Sequence, residues 1–227
     1  MNIYPVFCNQ KNMANYSYII NPINTDQAII IDAAEATPII DGLTQRALTP
    51  THIITTHHHF DHVEGNLTLK EKYNLQILAP VLEFDKIPGA DIPITPQQDF
   101  TLHNITFTPY EAKGHTNGHL IYYIQEDDSL FTGDVLFNLC IGGLFEGTPK
   151  EMQQTLQTIK QFPNKTKIYP GHEYTAHSIT RQMVQDPKFL PYLEKLKKRQ
   201  QKELAPTTLE EEKLFNPYLK EIDLNNL

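Results

Sequence analysis

The segment Thr56-His57-His58-His59-Phe60-Asp61-His62 places four imidazoles and a carboxylate within seven residues. It follows directly on the apolar run Thr51-His52-Ile53-Ile54-Thr55, which reads as a buried strand. A turn cannot bury that many ionisable groups unless something compensates them. A divalent metal does so, because neutral imidazole and carboxylate are donors that zinc and its first-row neighbours accept. A solvated histidine-rich loop is the bland alternative, and it weakens as the chain is followed downstream. Gly114-His115-Thr116-Asn117-Gly118-His119 lies just past strand-like Ile105–Pro109, Thr132-Gly133-Asp134 closes Leu130–Phe131, and Gly171-His172 closes Lys167–Tyr169. A single histidine at a strand end is usually a satisfied surface residue. Three glycine-loosened turns carrying His, Asp and His form a pattern. With His57, His59, Asp61 and His62 they make seven donors, enough for two metals sharing one bridging carboxylate.

The elements that must carry these turns follow from apolar periodicity and turn chemistry. Ile3–Phe7, Tyr16–Ile20 and Gln27–Ile31 read as short strands, the last two joined as a hairpin through Asn21-Pro22-Ile23-Asn24. Thr37 and Pro38 suit the N-cap and first position of a helix, with Ile39, Ile40, Leu43 and Ala47 at close to helical spacing and Pro50 as the stop. Strand Thr51–Thr55 then delivers the histidine cluster, and Val63–Tyr73 reads as a helix with Val63 and Leu67 four apart. Gln76–Ala79, Thr101–Pro109, Leu120–Gln125, Ser129–Thr132 and Lys167–Tyr169 read as strands. Thr148-Pro149-Lys150-Glu151 has the N-cap, proline and charged first turn of a helix reaching Phe162. From 173 the composition shifts to the helical patterns Tyr174–Gln185, Phe189–Glu203 and Thr208–Leu214, broken by Pro187, Pro191 and Pro206. The reading is an α/β domain over 1–172 and a small helical domain over 173–227.

With 227 residues the chain can bury a substantial core. A net charge of -8 argues against nucleic acid or an anionic membrane as partner. Cys8 and Cys140 are far apart and form no CxxC, so neither a disulfide scaffold nor a cysteine-ligated zinc is expected. The first residues, Met1-Asn2-Ile3-Tyr4-Pro5, lack a signal peptide's basic and apolar regions, and no apolar run approaches membrane-spanning length. These features predict a soluble cytoplasmic protein acting on a small molecule, and they are silent on oligomeric state.

H-x-H-x-D-H followed in order by G-H-T, G-D and G-H resembles the metallo-β-lactamase superfamily, whose fold is a four-layer αββα sandwich. Thr56–His62, Phe145-Glu146-Gly147-Thr148, Pro170-Gly171-His172-Glu173-Tyr174-Thr175 and Asn216-Pro217-Tyr218-Leu219-Lys220 resemble glyoxalase II, the hydroxyacylglutathione hydrolases. The resemblance implies that His57, His59 and His115 hold one metal, that Asp61, His62 and His172 hold a second, and that Asp134 bridges them. The implied ions are two divalent metals per chain, zinc first, with iron or manganese as alternatives. The implied reaction is metal-dependent thioester hydrolysis, S-D-lactoylglutathione and water to D-lactate and glutathione, the second step of methylglyoxal detoxification. A hydroxide shared by the two metals would attack the acyl carbon, with Asp61 and Asp134 as the catalytic carboxylates. No Ser nucleophile is needed, and no G-x-S-x-G occurs. His58 falls between donors and should point away, His52, His103 and His177 fall outside the pattern, and His119 is a candidate outer hydrogen-bond partner.

The substrate contacts implied by the resemblance are Phe145, Tyr174 and Lys220. Here the chain departs from its relatives. Gly143 stands where they usually carry a basic residue, Phe145 keeps a ring without a hydroxyl, and the chain ends at Leu227 without the further basic pair of that family. Weak glutathione binding is the expected consequence. Three other readings compete: a single-iron persulfide dioxygenase, a hydrolase of another thioester or a lactone, and a non-catalytic metal-binding protein. The P-G-H-E-Y-T and N-P-Y-L-K segments favour the first hydrolase, and the full ligand set counts against the non-catalytic protein.

Overall fold

Short β-branched and aromatic runs build two sheets, and the two-residue alternation along each run decides which layer a side chain enters. The computed structural model describes residues 1–8, 12–179, 181–198 and 206–220. The first half comprises β1 (Asn2–Cys8), β2 (Asn15–Asn21), β3 (Gln27–Ile31), α1 (Ala36–Gln45), β4 (Thr49–Ile54), α2 (Phe60–Val63), α3 (Asn66–Tyr73), β5 (Gln76–Pro80) and β6 (Ile92–Ile94). Its six strands lie side by side in chain order, antiparallel from β1 to β3 and parallel from β3 to β6.

The second half comprises β7 (Phe100–Leu102), β8 (Ile105–Glu111), β9 (Leu120–Ile124), β10 (Ser129–Gly133), a ribbon of β11 (Leu136–Phe137) and β12 (Cys140–Ile141), α4 (Pro149–Ile159) and β13 (Lys167–Pro170). After these come α5 (Thr175–Ser178), α6 (Arg181–Gln185), α7 (Leu190–Lys198), β14 (Thr207–Thr208), α8 (Leu209–Phe215) and α9 (Pro217–Lys220). The second sheet runs β14-β13-β10-β9-β8-β7, with β10 and β13 its parallel pair.

Alternation sorts the core into layers. On β3, Ile29 and Ile31 face the second sheet, while Ala28 and Ile30 face Ile39 and Leu43 of α1 and Leu69 of α3. On β9, Leu120, Tyr122 and Ile124 face inward, while Ile121 and Tyr123 meet Met152, Leu156 and Ile159 of α4. The result is the four-layer αββα sandwich. A further cluster of Leu139, Met183, Phe189, Tyr192 and Phe215 holds the C-terminal helices against the ribbon turn.

Several expected elements take a different form. The single helix over Val63–Tyr73 is divided into α2 and α3, because Gly65 N–H leaves the helical pattern to donate to Ala33 O at 2.8 Å. Leu67 is therefore exposed and Leu69 buried. Thr37 and Pro38 lie inside the first turn of α1, whose N-cap is Glu35; the missing proline N–H is an orphan there anyway. The expected strand Thr101–Pro109 is the hairpin β7–β8, turned by His103 and Asn104 at φ 49° and 65°. Thr148 caps α4 through a full capping box, as its sequence implies, but the helix ends at Ile159 rather than Phe162. The helix expected over Tyr174–Gln185 is two short pieces, and β14 adds an unexpected strand beyond 173. The end of the pattern expected over 189–203 lies outside the described residues. No described helix is long and apolar enough to cross a membrane. Cys8 and Cys140 form no disulfide, and burial pushes both thiols up to about 11.

Candidate metal centre

The seven side chains singled out in the sequence converge on one edge of the sandwich. The carboxyl end of β4 delivers His57 and His59, and the single turn of α2 brings round Asp61 and His62. The loop between β8 and β9 delivers His115, the end of β10 Asp134, and the end of β13 His172. A cross-sheet hydrogen bond from Leu120 N–H to Thr56 O, 2.9 Å, joins the end of β4 to the start of β9.

Three overlapping groups each place one donor atom per residue within 4.8 Å of the others: His57–His59–His115, Asp61–His62–His172 and His57–His62–Asp134. His115 Nε2 lies 2.9 Å from His59 Nδ1 and 3.4 Å from Asp134 Oδ2. His172 Nε2 lies 3.1 Å from Asp134 Oδ2, 3.4 Å from Asp61 Oδ2 and 3.3 Å from His62 Nε2. His62 Nε2 is also 3.1 Å from Asp134 Oδ1. Asp134 thus stands between the two histidine groups. Gly171 permits this crowding: a Cβ there would lie 2.2 Å from Asp134 Oδ1.

Hydrogen bonds on the far side of the rings set which nitrogen faces inward. His62 Nδ1 is 2.8 Å from Asp32 Oδ2, His115 Nδ1 2.8 Å from Gly143 O, and His172 Nδ1 2.7 Å from Met13 O. Each acceptor takes the Nδ1 proton and leaves Nε2 bare and inward. Thr56 extends the pattern, because its hydroxyl donates to Asp32 Oδ2 at 2.8 Å and its oxygen accepts from His57 Nδ1 at 2.9 Å. His57 Nε2 is then buried without a hydrogen-bond partner among the described residues. Imidazole nitrogens 2.9 Å apart at His115 and His59, and 3.3 Å apart at His62 and His172, with His57 Nε2 orphaned in the same cluster, repel unless a cation or a proton lies between them. The donor set therefore fits a divalent metal site.

The electrostatics agree. Burial would push the Asp134 carboxyl up, yet His172 and His62 hold it well below the usual carboxylate range. Burial also opposes ionisation of Asp61, and the hydrogen bond from His172, the charge on His62 and the Asn15 amide outweigh it. Burial lowers His57, His59 and His115. It would lower His172 too, but Asp134 raises that ring to about 9. The buried carboxylates call for positive charge, and a dication supplies it where protons otherwise must.

The other sequence candidates take distinct places. His58 turns away from the donors, its Nδ1 2.9 Å from Glu83 Oε2. His119 Nε2 accepts the Asp134 N–H at 3.1 Å, an outer hydrogen bond to the central carboxylate. His52 and His103 meet instead at Thr51 Oγ1, 2.9 and 2.7 Å away, at the opposite end of β4. The exposed ring of Phe145 stands edge-on to His59 and His115, with centroids 5.3 and 5.1 Å apart. Tyr174 stacks on His172 at 4.9 Å, and its hydroxyl donates to Met13 O at 3.2 Å. Lys220 lies over the Phe215 ring on the C-terminal helices. Sequence reasoning missed Asp32, Asn15 and Glu83. Asp32 had a signal: an acidic residue closing a buried Ile run, as Asp134 closes its own strand.

A model of the metallo-beta-lactamase superfamily matches residues 12–172. The chain is 38% identical over 211 residues to a hydroxyacylglutathione hydrolase of Rhizobium meliloti (strain 1021), covering 91% of this chain and 82% of that protein. It is 41% identical over 178 residues to the hydroxyacylglutathione hydrolase of Pelagibacter ubique (strain HTCC1062), covering 78% and 73%. Among solved structures, the BLEG-1 B3 metallo-beta-lactamase superposes with a TM-score of 0.77 at 22% identity, over 97% of this chain and all of that one (100%), a likeness of fold alone.

Proposed function

The chain belongs to the hydroxyacylglutathione hydrolase family of the metallo-β-lactamase superfamily, and we propose that it hydrolyses S-D-lactoylglutathione to D-lactate and glutathione. The observation that carries this reading is the convergence of seven donors on one edge, with Nδ1 of His62, His115 and His172 each tied to an acceptor. In this reading His57, His59 and His115 hold one divalent ion, Asp61, His62 and His172 a second, and Asp134 lies between. Zinc is the ion of choice, and iron or manganese would accept the same donors. When bound, such ions polarise a thioester carbonyl and lower the pKa of water toward neutrality.

The chain's own residues orient and enclose that chemistry. Asn15 fixes Asp61, donating to its Oδ2 and to its backbone carbonyl at 3.0 Å each. An ionised Asp61 can accept a hydrogen bond from the attacking water and so orient it, and a thiolate leaving group needs little protonation. The Phe145 ring offers the substrate an apolar wall at the mouth, beside Gly143. Tyr174 backs His172, so its ring rather than its committed hydroxyl would line the thiol side. The segment from 173 onward, with Lys220, would form the remaining substrate-binding part, and the cytoplasm is the expected compartment.

Loss of thioester absorbance from S-D-lactoylglutathione, measured on protein of known metal content, tests this reading. Two metals per chain with thioester turnover is the expected result. One iron per chain with oxygen uptake on glutathione persulfide would replace the hydrolase with a dioxygenase.

A further inference from the structure

Outside the donor set, a carboxylate beside the site is buried nearly as deeply as His57 and His62. Glu83 is 1% exposed and sits between β5 and the 3-10 turn Phe84–Lys86. A carboxylate at that depth requires several donors, and Glu83 has them. Its Oε2 accepts the His58 backbone N–H at 2.7 Å, with His58 Nδ1 at 2.9 Å. Its Oε1 accepts the Gly118 N–H at 2.9 Å and the Thr116 hydroxyl.

These donors belong to two loops from different sheets. His58 lies between His57 and His59, at the end of β4 in the first sheet. Thr116 follows His115, and Gly118 precedes His119, on the loop that enters β9 in the second sheet. Glu146 supports the same junction from outside. It accepts the Asn117 N–H at 3.0 Å, pairs with Lys86 at 3.1 Å and lies 3.5 Å from His58 Nε2. His58 is thus held between two carboxylates, which explains why it turns away from the donors.

We infer that Glu83 is a positioning residue for the His57–His59–His115 group, clamping two loops from opposite sheets at the spacing that aims three imidazoles at one cation. The inference rests on the metal reading above. Its content is an asymmetry. The Asp61–His62–His172 group is tied by Asn15, Asp32 and Met13, none of which bonds to Glu83. Removing the Glu83 carboxylate leaves two backbone N–H groups and a hydroxyl unpaired on the first group only.

Zinc titration against a chromophoric chelator, with cobalt(II) spectra as a second readout, resolves the two sites in the native chain and in Glu83→Gln. The substitution keeps one acceptor oxygen and turns an amide toward the His58 N–H. One metal equivalent should weaken by about 10- to 100-fold while the other keeps its native affinity. The cobalt spectrum should change in the same variant, and kcat should fall with KM nearly constant. Gly118→Ala is a second route, since a Cβ there would lie 2.5 Å from Glu83 Cγ and displace the carboxylate without deleting it. It should weaken the same equivalent, and it carries the test if Glu83→Gln does not fold. Native affinity at both sites in the variants, or equal loss at both, overturns the inference and leaves the hydrolase reading standing. A native chain that binds no metal overturns both.

Discussion

The Asn15 amide reaches across from β2 to hold Asp61 at two points, the carboxylate Oδ2 and the backbone carbonyl, each at 3.0 Å. Asp61 is more open to solvent than His62 and His172, at 9% exposure against 0% and 3%, so this grip decides which way its carboxylate points. Asn15→Ala should lower kcat/KM for the thioester by about 10- to 100-fold. Steady-state kinetics at saturating zinc checks this, and unchanged kcat/KM would show that Asp61 needs no such support.

Asp134 touches both histidine groups, so its loss differs in kind from loss of a peripheral partner. Asp134→Ala and His57→Ala should abolish hydrolysis and lower bound metal per chain, as measured by elemental analysis of the purified variants. Full activity in a variant depleted of metal would contradict the assignment of these donors.

Chelation of the native chain should remove activity, and added zinc should restore it. Because the folded donor cluster binds the ion and the unfolded chain does not hold that geometry, thermal stability should rise with free zinc, by about 2.7 kcal/mol at a hundredfold excess over Kd. Melting curves across a zinc series check the slope. A midpoint independent of zinc would speak against a metal bound by the folded state.

Glu212, outside the donor set, supplies a separate pH dependence. It is fully buried on α8, where it accepts Leu139 N–H and the Asn216 amide, and burial pushes its carboxyl from 4.5 up to about 7. The fold therefore retains a proton that the unfolded chain releases, and this stabilisation is complete below 4.5 and lost as pH rises to about 7. The loss amounts to about 3 kcal/mol. Glu212→Gln should flatten the decline in stability between pH 4.5 and 7, read from denaturant midpoints; an equally steep decline in the variant would assign it to other groups.

Gly143 is where substrate affinity should respond. A side chain there would meet the Phe145 ring at 3.3 Å, a contact that the exposed ring can relieve, while the carbonyl that orients His115 is retained. Gly143→Arg should lower KM for S-D-lactoylglutathione several-fold with kcat little changed, since an added guanidinium can pair with the anionic tripeptide. Initial rates over a substrate series test this. A KM that stays put would mean the thiol moiety does not pass this position.

The donors were legible in the sequence because each sits in a short turn at a strand end, and apolar runs marked the strands. Their supports were not, because Asp32 meets His62 across 30 residues, Glu83 meets Gly118 across 35, and Asn15 meets Asp61 across 46. Nothing local distinguishes such residues from surface polar groups until the sheets dock. The single helix expected from Val63 failed for a related reason: the bond from Gly65 to Ala33 is tertiary and overrides local propensity. The hairpin at His103–Asn104 was hidden because both residues accept positive φ without the usual glycine signal.

Since the first four donors, His57 to His62, belong to the first sheet and His115, Asp134 and His172 to the second, a chain emerging from the ribosome cannot assemble the full set until β13, and so nearly the whole sandwich, has been made. If these donors hold the ions as proposed, loading of the full set would be a late event in the life of each molecule. Cation uptake during refolding would time the closure of one sheet upon the other.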